Sequence, residues 1–316
     1  MKRFLIPLLA ASVWLQGQMI DQRLRRAQEL IRSGSYADAR LELTELLGHL
    51  ELAGPAPLLL TVLNNLAGIH ADTENYREAE RLYLRSLRIS GQLAPANPPS
   101  RLSIQQNLLV LYLQAGWLGK AERLAGQVHG EFTQADPKQR LQFLDCLGSL
   151  SRARKRFDEA EGYYREALAL AQATGETGVS GFLLNSLGLV HAGRRKMKAA
   201  ANAFEQAVAS HEAAHGKQHP VLITSLTNLA SAYLASHRLR EAQSTVERAG
   251  ALLELTPNAS QLLLYRLLLL ESKALGRLHR KAEARQARQR ADDIRQRSGS
   301  RFPDGFTVEI DDLRRR

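Results

Sequence analysis

The chain has 316 residues, 44% of them hydrophobic and 6% aromatic, with a formal net charge of +11. That composition is enough for a substantial core and does not point to a disordered chain, while the basic balance reads first as a solvated surface and leaves an anionic partner open. A single cysteine, Cys146, excludes an intramolecular disulfide and a cysteine-based zinc cluster, and its setting LDCLG suits a small buried side chain.

Met1-Lys2-Arg3 precede an apolar run from Phe4 to Leu15, followed by Gln16-Gly17-Gln18 and a charged stretch. The run is too short to span a bilayer and has the proportions of a secretory signal peptide. Residues 1–17 are therefore expected to be a signal, cleaved after Ser12 or Gly17, and the mature chain to be periplasmic or secreted. A core helix or an uncleaved anchor is the competing reading. No cysteine follows the run, so a lipoprotein anchor is not expected.

Beyond it, one skeleton recurs. It is clearest in LNNLAGIHADTENYREA (63–79), QNLLVLYLQAGWLGKA (106–121), LDCLGSLSRARKRFDEA (144–160), LNSLGLVHAGRRKMKAA (184–200) and LTNLASAYLASHRLREA (226–242). In each, a small or apolar residue (Ala67, Leu109, Gly148, Gly188, Ala230) is followed twelve positions later by an alanine (Ala79, Ala121, Ala160, Ala200, Ala242). Tyr83, Tyr164, Phe204 and Val246 come four residues after that alanine. Weaker copies at Ala27/Ala39 and Leu270/Ala282 make seven units, with alanine steps of 40, 42, 39, 40, 42 and 40 along 39→79→121→160→200→242→282. Apolar residues recur at helical spacing on both sides of a polar turn, so each unit is read as a helical hairpin whose helices meet at methyl-sized side chains. Regular steps of this length predict a stacked array.

Residues 211–215 read His-Glu-Ala-Ala-His, the spacing that places two imidazoles on one helical face around zinc with a glutamate as base. A zincin also needs a third ligand and an enclosed cleft. On the repeat, His211 and His215 fall in the last turns of a second helix, Gly216 becomes its cap, and His219-Pro220 opens the next helix. No further acidic ligand follows, so neither catalysis nor a metal is expected, and a zinc-dependent hydrolase remains the alternative. The run LLLYRLLLL (262–270) is interrupted by Arg266 and is not read as a membrane span. The arginine-rich stretch from Arg277 to Arg297 interleaves acids and reads as a solvated capping helix. Residues 296–316 are expected to form a flexible basic tail, in which Thr307–Ile310 alternate as a sheet-edge strand would.

The skeleton resembles the tetratricopeptide repeat, whose usual unit is about 34 residues, shorter than the steps here. GKQHPVLITSLTNLASAY (216–233) is similar to the kinesin-light-chain type, in which Gly-x-x-His-Pro precedes a helix beginning Leu-x-Asn-Leu-Ala, and Leu63-Asn64-Asn65-Leu66-Ala67 is a second instance. The resemblance covers about residues 22–295. It implies an all-α right-handed superhelix of about seven hairpins over 18–295, with core repeats at about 58–255 and degenerate repeats at both ends.

In that family the first helices line the concave surface. Counting from each anchor, the implied groove carries Thr61, Asn64, Ser103, Gln106, Gln142, Asp145, Ser149, Arg152, Asn185, Thr224, Thr227 and Ser231, with Phe182 in the same stripe. Such amides and hydroxyls both donate to and accept from an extended peptide backbone. The paired lysines and asparagines of the family's carboxylate clamp are absent, so a free C-terminal carboxylate is not the favoured ligand. Asn65, Asn107 and Asn228, one position along, either join this surface or bridge neighbouring helices. The function expected is a non-enzymatic exported scaffold or adaptor that holds a protein segment without a cofactor. Electrostatic binding of an anionic polymer is a further alternative, and nucleic acid is not the expected partner.

Overall fold

The computed structural model of the protein describes residues 5–53, 57–93, 98–256 and 261–297, and every element longer than one turn among them is an α-helix. The helices pair into seven hairpins. The first three are α1 (Leu5–Arg32) with α2 (Tyr36–Ala53), α3 (Pro57–Asp72) with α4 (Tyr76–Gln92), and α5 (Pro98–Gln114) with α6 (Leu118–Thr133). The next four are α7 (Pro137–Ala153) with α8 (Phe157–Thr174), α9 (Ser180–Gly193) with α10 (Met197–His215), α11 (Leu222–Ala235) with α12 (Leu239–Glu254), and α13 (Gln261–Arg277) with α14 (Lys281–Arg297). A short 3-10 turn, Thr177–Val179, leads into α9. The molecule is an all-α array of helical-hairpin repeats. It divides into two units, residues 1–139 and 140–316, here called unit 1 and unit 2.

Within hairpins the first helix always stops in the same way. Gly34, Glu74, Gly116, Lys155, Arg195, His237 and His279 each adopt a left-handed backbone with φ between 60° and 78°. At each, two amides turn back onto the helix: Arg195 N–H donates to the Ala192 carbonyl at 2.8 Å and Lys196 N–H to the His191 carbonyl at 2.9 Å. This pair of hydrogen bonds closes the helix's last carbonyls and reverses the chain in three residues. Five of the seven turns place a side chain where glycine is the unstrained choice.

Five residues after each of these corners sits the alanine of the skeleton. Ala39, Ala79, Ala121, Ala160, Ala200 and Ala242 have no exposed surface. The last unit departs from the sequence reading. Ala282 is exposed and Ala284 is the buried residue, five after His279. Its partner twelve before is Ser272, whose hydroxyl donates to the Ala284 carbonyl at 2.8 Å, so the final step is 42 residues, from 242 to 284. The pair Leu270/Ala282 is thus two residues out of register.

The small residue on the first helix exists to admit a ring from the second. A β-carbon added at Gly148 would fall 2.6 Å from the Tyr164 ring, and one at Gly188 would lie closer still to Phe204. Gly193 receives the ring of Phe157, 2.5 Å from where its β-carbon would be. In unit 2 these rings sit in two apolar clusters, one built around Leu141, Leu144, Tyr164, Leu183 and Val190, the other running from Ala192 to Ala274. Cys146 is buried and free, as its setting predicts.

Glutamates on second helices latch the next hairpin. Glu80 accepts from the Tyr112 phenol at 2.8 Å and from Lys120 at 2.7 Å. Glu205 accepts from the Tyr233 phenol at 2.7 Å and from Arg238 at 3.0 Å, and Glu161 from Arg194 at 2.5 Å. Charged acceptors make these bonds stronger than neutral ones. Residues 1–4 and 298–316 lie outside the described residues, and with them the start of the expected signal and nearly all of the expected tail.

Candidate functional site

Side chains of different length bridge successive hairpins on the two sides of a hairpin row. In unit 1 the first helices α3 and α5 are joined by two short amides, Asn107 Nδ2 donating to Asn64 Oδ1 at 3.2 Å, whereas the second helices α2 and α4 are joined by a long pair, Arg85 to Glu51 at 2.6 Å. Unit 2 repeats the contrast. Asn228 Nδ2 donates to Asn185 Oδ1 at 3.0 Å between α11 and α9, while Arg248 reaches Glu212 between α12 and α10. Arg277 also donates to the Leu234 carbonyl at 2.6 Å, tying α13 to α11. Short amides thus span the α3–α5 and α9–α11 joints, an arginine spans α11–α13, and arginine–glutamate pairs span the second-helix joints α2–α4 and α10–α12.

Asn107 and Asn228 thus act as bridges, and they do so onto two of the groove residues expected from sequence. Each bond consumes one N–H and one acceptor lone pair of the two amides; Asn64, Asn107 and Asn185 are half-buried, whereas Asn228 is buried. Asn65, beside Asn64, keeps a buried Nδ2 without a partner.

The other expected residues divide by exposure. Thr61, Ser103, Gln142 and Thr224 are exposed, and Asn64, Asp145, Ser149, Arg152 and Asn185 are half-buried. Gln106, Thr227 and Ser231 are buried, so they do not face a partner. Thr227 donates its hydroxyl to the Ile223 carbonyl at 2.6 Å, inside its own helix. The cause is the position of α11, which packs against α10, α12 and α13 and has every residue but Thr224 buried. Thr61 bonds to the Pro57 carbonyl at 3.4 Å, and Ser149 shares a 3.0 Å bond with the Tyr164 phenol. Burial raises the Asp145 carboxyl above the usual carboxylate range, although Arg152 nearby pulls it down. Phe182, on the same face of α9, is 52% exposed.

The His-Glu-x-x-His segment is part of the packing. His211 is 1% exposed, with its ring edge-on to Phe182 at 4.6 Å and pressed against Gly181. Burial holds it below the usual imidazole range, and His215 and His219 lower it further. Glu212 is paired with Arg248. His219 accepts the Val221 amide on Nδ1 at 3.2 Å and stacks on His215 at 4.9 Å, and Gly216 caps α10 as expected. Pro220 lies in the turn before α11, which begins at Leu222. Among the described residues there is no group of three or more His, Cys, Asp or Glu placed to hold a metal. No helix among them is long and apolar enough to cross a membrane.

Tetratricopeptide-repeat family models match residues 59–100, 140–213 and 180–254. The chain is similar in structure to a tetratricopeptide repeat protein from Parabacteroides merdae, with 17% identity, TM-score 0.58, and coverage of 95% of this chain and 100% of that one. It is also similar to aspartyl phosphate phosphatase F from Bacillus subtilis, at 12% identity and TM-score 0.60, covering 88% and 94% of the two chains. Nearly identical TPR-like repeats of a protein designated a kinesin light chain, from Podosopora anserina, match at 24% identity and TM-score 0.51 over 63% of this chain and 97% of that one. At these identities the likeness is one of fold. No curated protein sequence matches the chain significantly.

Proposed function

We propose a function from one premise: the chain is a tetratricopeptide-repeat protein, a class whose repeats suggest a scaffold for protein–protein interaction. In our reading it is a non-enzymatic adaptor, exported through residues 1–17, that captures an extended polypeptide segment on the inner faces of its units. The observation that carries this reading is the pair of bridged amides, Asn64 with Asn107 and Asn185 with Asn228. A peptide backbone offers one N–H and one C=O per residue, and the half-buried amides Asn64, Asn107 and Asn185 can accept from and donate to it without burying a charge, while buried Asn228 holds Asn185 in place.

The test is recovery of partners by the full chain from its native envelope fraction. Asn64→Ala with Asn185→Ala is expected to abolish recovery, while Arg85→Ala on the outer helices leaves it intact. Equal recovery by both variants removes the assignment. Export is tested separately by the N-terminus of the mature protein, which is expected to begin just after Ser12 or Gly17; a chain that retains Phe4–Leu15 defeats cleavage.

A further inference from the structure

We propose that the corner edge of unit 2, where each first helix turns into its second, is a docking surface for an anionic lipid bilayer. The surface shares no residue with the proposed peptide-binding face.

The corners of the two units differ in kind. In unit 1 the left-handed residue and its two neighbours read Ser33-Gly34-Ser35, Thr73-Glu74-Asn75 and Ala115-Gly116-Trp117, without a cation. In unit 2 they read Arg154-Lys155-Arg156, Arg194-Arg195-Lys196, Ser236-His237-Arg238 and Leu278-His279-Arg280. Lys155, Arg195, His237 and His279 hold the left-handed position itself, where glycine would be unstrained, and all four are exposed. Backbone strain kept at successive corners, each time with a basic side chain in solvent, points to a use for those side chains.

The four corners follow one another along a single edge. The Phe157 ring lies against Gly193, and Arg194 pairs with Asp158 and with Glu161, joining the first corner to the second. Arg238 reaches Glu205 on α10 at 3.0 Å, joining the third to the second. Arg277 donates to the Leu234 carbonyl at 2.6 Å, joining the fourth to the third. Packed helices lie about 8–10 Å apart, so the corners present their charge in a row at roughly that step.

The acids of this edge are engaged in holding it together. Asp158 and Glu161 face Arg194, Glu159 faces Arg156, Glu205 and Glu241 face Arg238, and Glu283 faces Arg280. Outside those pairs stand Lys155, Arg195, Lys196, Lys198, Arg240 and Lys281, all exposed and none in an ion pair or side-chain hydrogen bond among the described residues. The charge left over on the edge is therefore of one sign.

The arrangement favours a plane over a polymer. Single-stranded nucleic acid is held in a basic groove with aromatic faces for its bases, and a duplex is read by a helix or ribbon laid in its groove. These cations stand instead on successive turns whose nearest rings are covered, Phe157 by Gly193 and Tyr233 by Arg238 at 4.1 Å. Half-buried Met197 lies between Lys196 and Lys198 in the chain, and half-buried Leu239 precedes Arg240. Cations with apolar stems beside apolar side chains suit the boundary between headgroups and acyl chains. Each cation brought to an anionic leaflet strengthens attachment by about fivefold.

The experiment is sedimentation of the full chain with vesicles of one part phosphatidylglycerol to two parts phosphatidylcholine, against phosphatidylcholine alone. Partition into the anionic vesicles is expected to exceed that into phosphatidylcholine, which registers any contribution of the apolar run Phe4–Leu15, by about a hundredfold or more. The excess is expected to vanish as salt rises from about 0.1 M to about 1 M and screening shortens the reach of the charges. Arg195→Gln with Lys196→Gln and Lys198→Gln is expected to weaken anionic binding on the order of a hundredfold. Should that variant fold poorly, Lys155→Gln with Arg240→Gln, on two other corners, is expected to weaken it by about 25-fold. Arg25→Gln with Arg88→Gln and Arg123→Gln removes as much charge from unit 1 as the first variant does from unit 2, and is expected to change binding by no more than about twofold. Equal partition into the two kinds of vesicle overturns the docking surface. Equal losses from the two triple variants overturn it too, by assigning the attraction to net charge. A duplex DNA fragment that strips the chain from anionic vesicles at equal phosphate concentration, and that the corner variants no longer bind, reassigns the edge to nucleic acid and overturns the lipid.

Discussion

A glycine inside a helix ordinarily weakens it by about 1 kcal/mol relative to alanine, so exchanging the two normally stabilises. Gly148 and Gly188 are expected to behave in the opposite sense, because the Tyr164 and Phe204 rings occupy the space a methyl group needs. Gly148→Ala should destabilise unit 2 by about 1–3 kcal/mol in urea titration, the usual cost of overpacking. A gain in stability there would mean the ring can turn aside. His211 makes a second prediction at this scale. Its affinity for a proton is lower folded than unfolded, so its contribution to stability is complete above its ordinary value of 6.5 and is lost as pH falls through the folded-state value. Melting temperature should fall on acidification from neutral pH, and His211→Phe should flatten that decline even if it lowers the plateau. A slope that is unchanged in the variant assigns the acid sensitivity to other groups, of which His70 and His191 are also held low by burial.

At the scale of the element, the corner after each first helix is a balance of backbone strain against closure of the last carbonyls. Arg195 is exposed and left-handed at φ 60°. Arg195→Gly should therefore stabilise the α9–α10 hairpin by about 0.5–1 kcal/mol, the relief of the left-handed strain less the entropy of glycine in the unfolded chain. Calorimetry of the single variant checks this, and a loss would show that the arginine side chain contributes more than its backbone costs. These corners also explain what could be read from the sequence and what could not. The buried alanines were legible because a close helix contact leaves a small side chain at a fixed step. The corners themselves were silent, since Glu74, Lys155, Arg195, His237 and His279 carry no glycine to announce them. That silence produced the error in the last hairpin, where a 40-residue step was carried forward onto Ala282 and only His279 marks the real count. Among groove residues, Asn64 and Asn185 follow from the helical stripe. The burial of Thr227 and Ser231 depends on what packs over α11, which a stripe on one helix does not contain.

Within each unit, the helices in closest contact belong to one hairpin or to successive hairpins. Stability in such an array is a sum of local terms, and its ends lack one neighbour. Amide hydrogen exchange should then be fastest in α1–α2 and α13–α14 and slowest in α3–α4 and α9–α11, read by mass spectrometry of the intact chain under native conditions. Uniform protection from end to end would reveal a single cooperative block instead. The seven repeats were readable in advance because this locality makes each unit solve the same packing problem with the same residues. The choice of partner is not repeated in that way, so a shared skeleton does not disclose it.

The contrast between stubby amides on one side of a row and arginine–glutamate spans on the other has a mechanical consequence. On the reading proposed above, a unit bends toward the side with the shorter struts. Swapping Asn64 and Asn107 for glutamines would lengthen the inner strut and straighten unit 1, turning a surface that wraps its guest into one that merely lies alongside it.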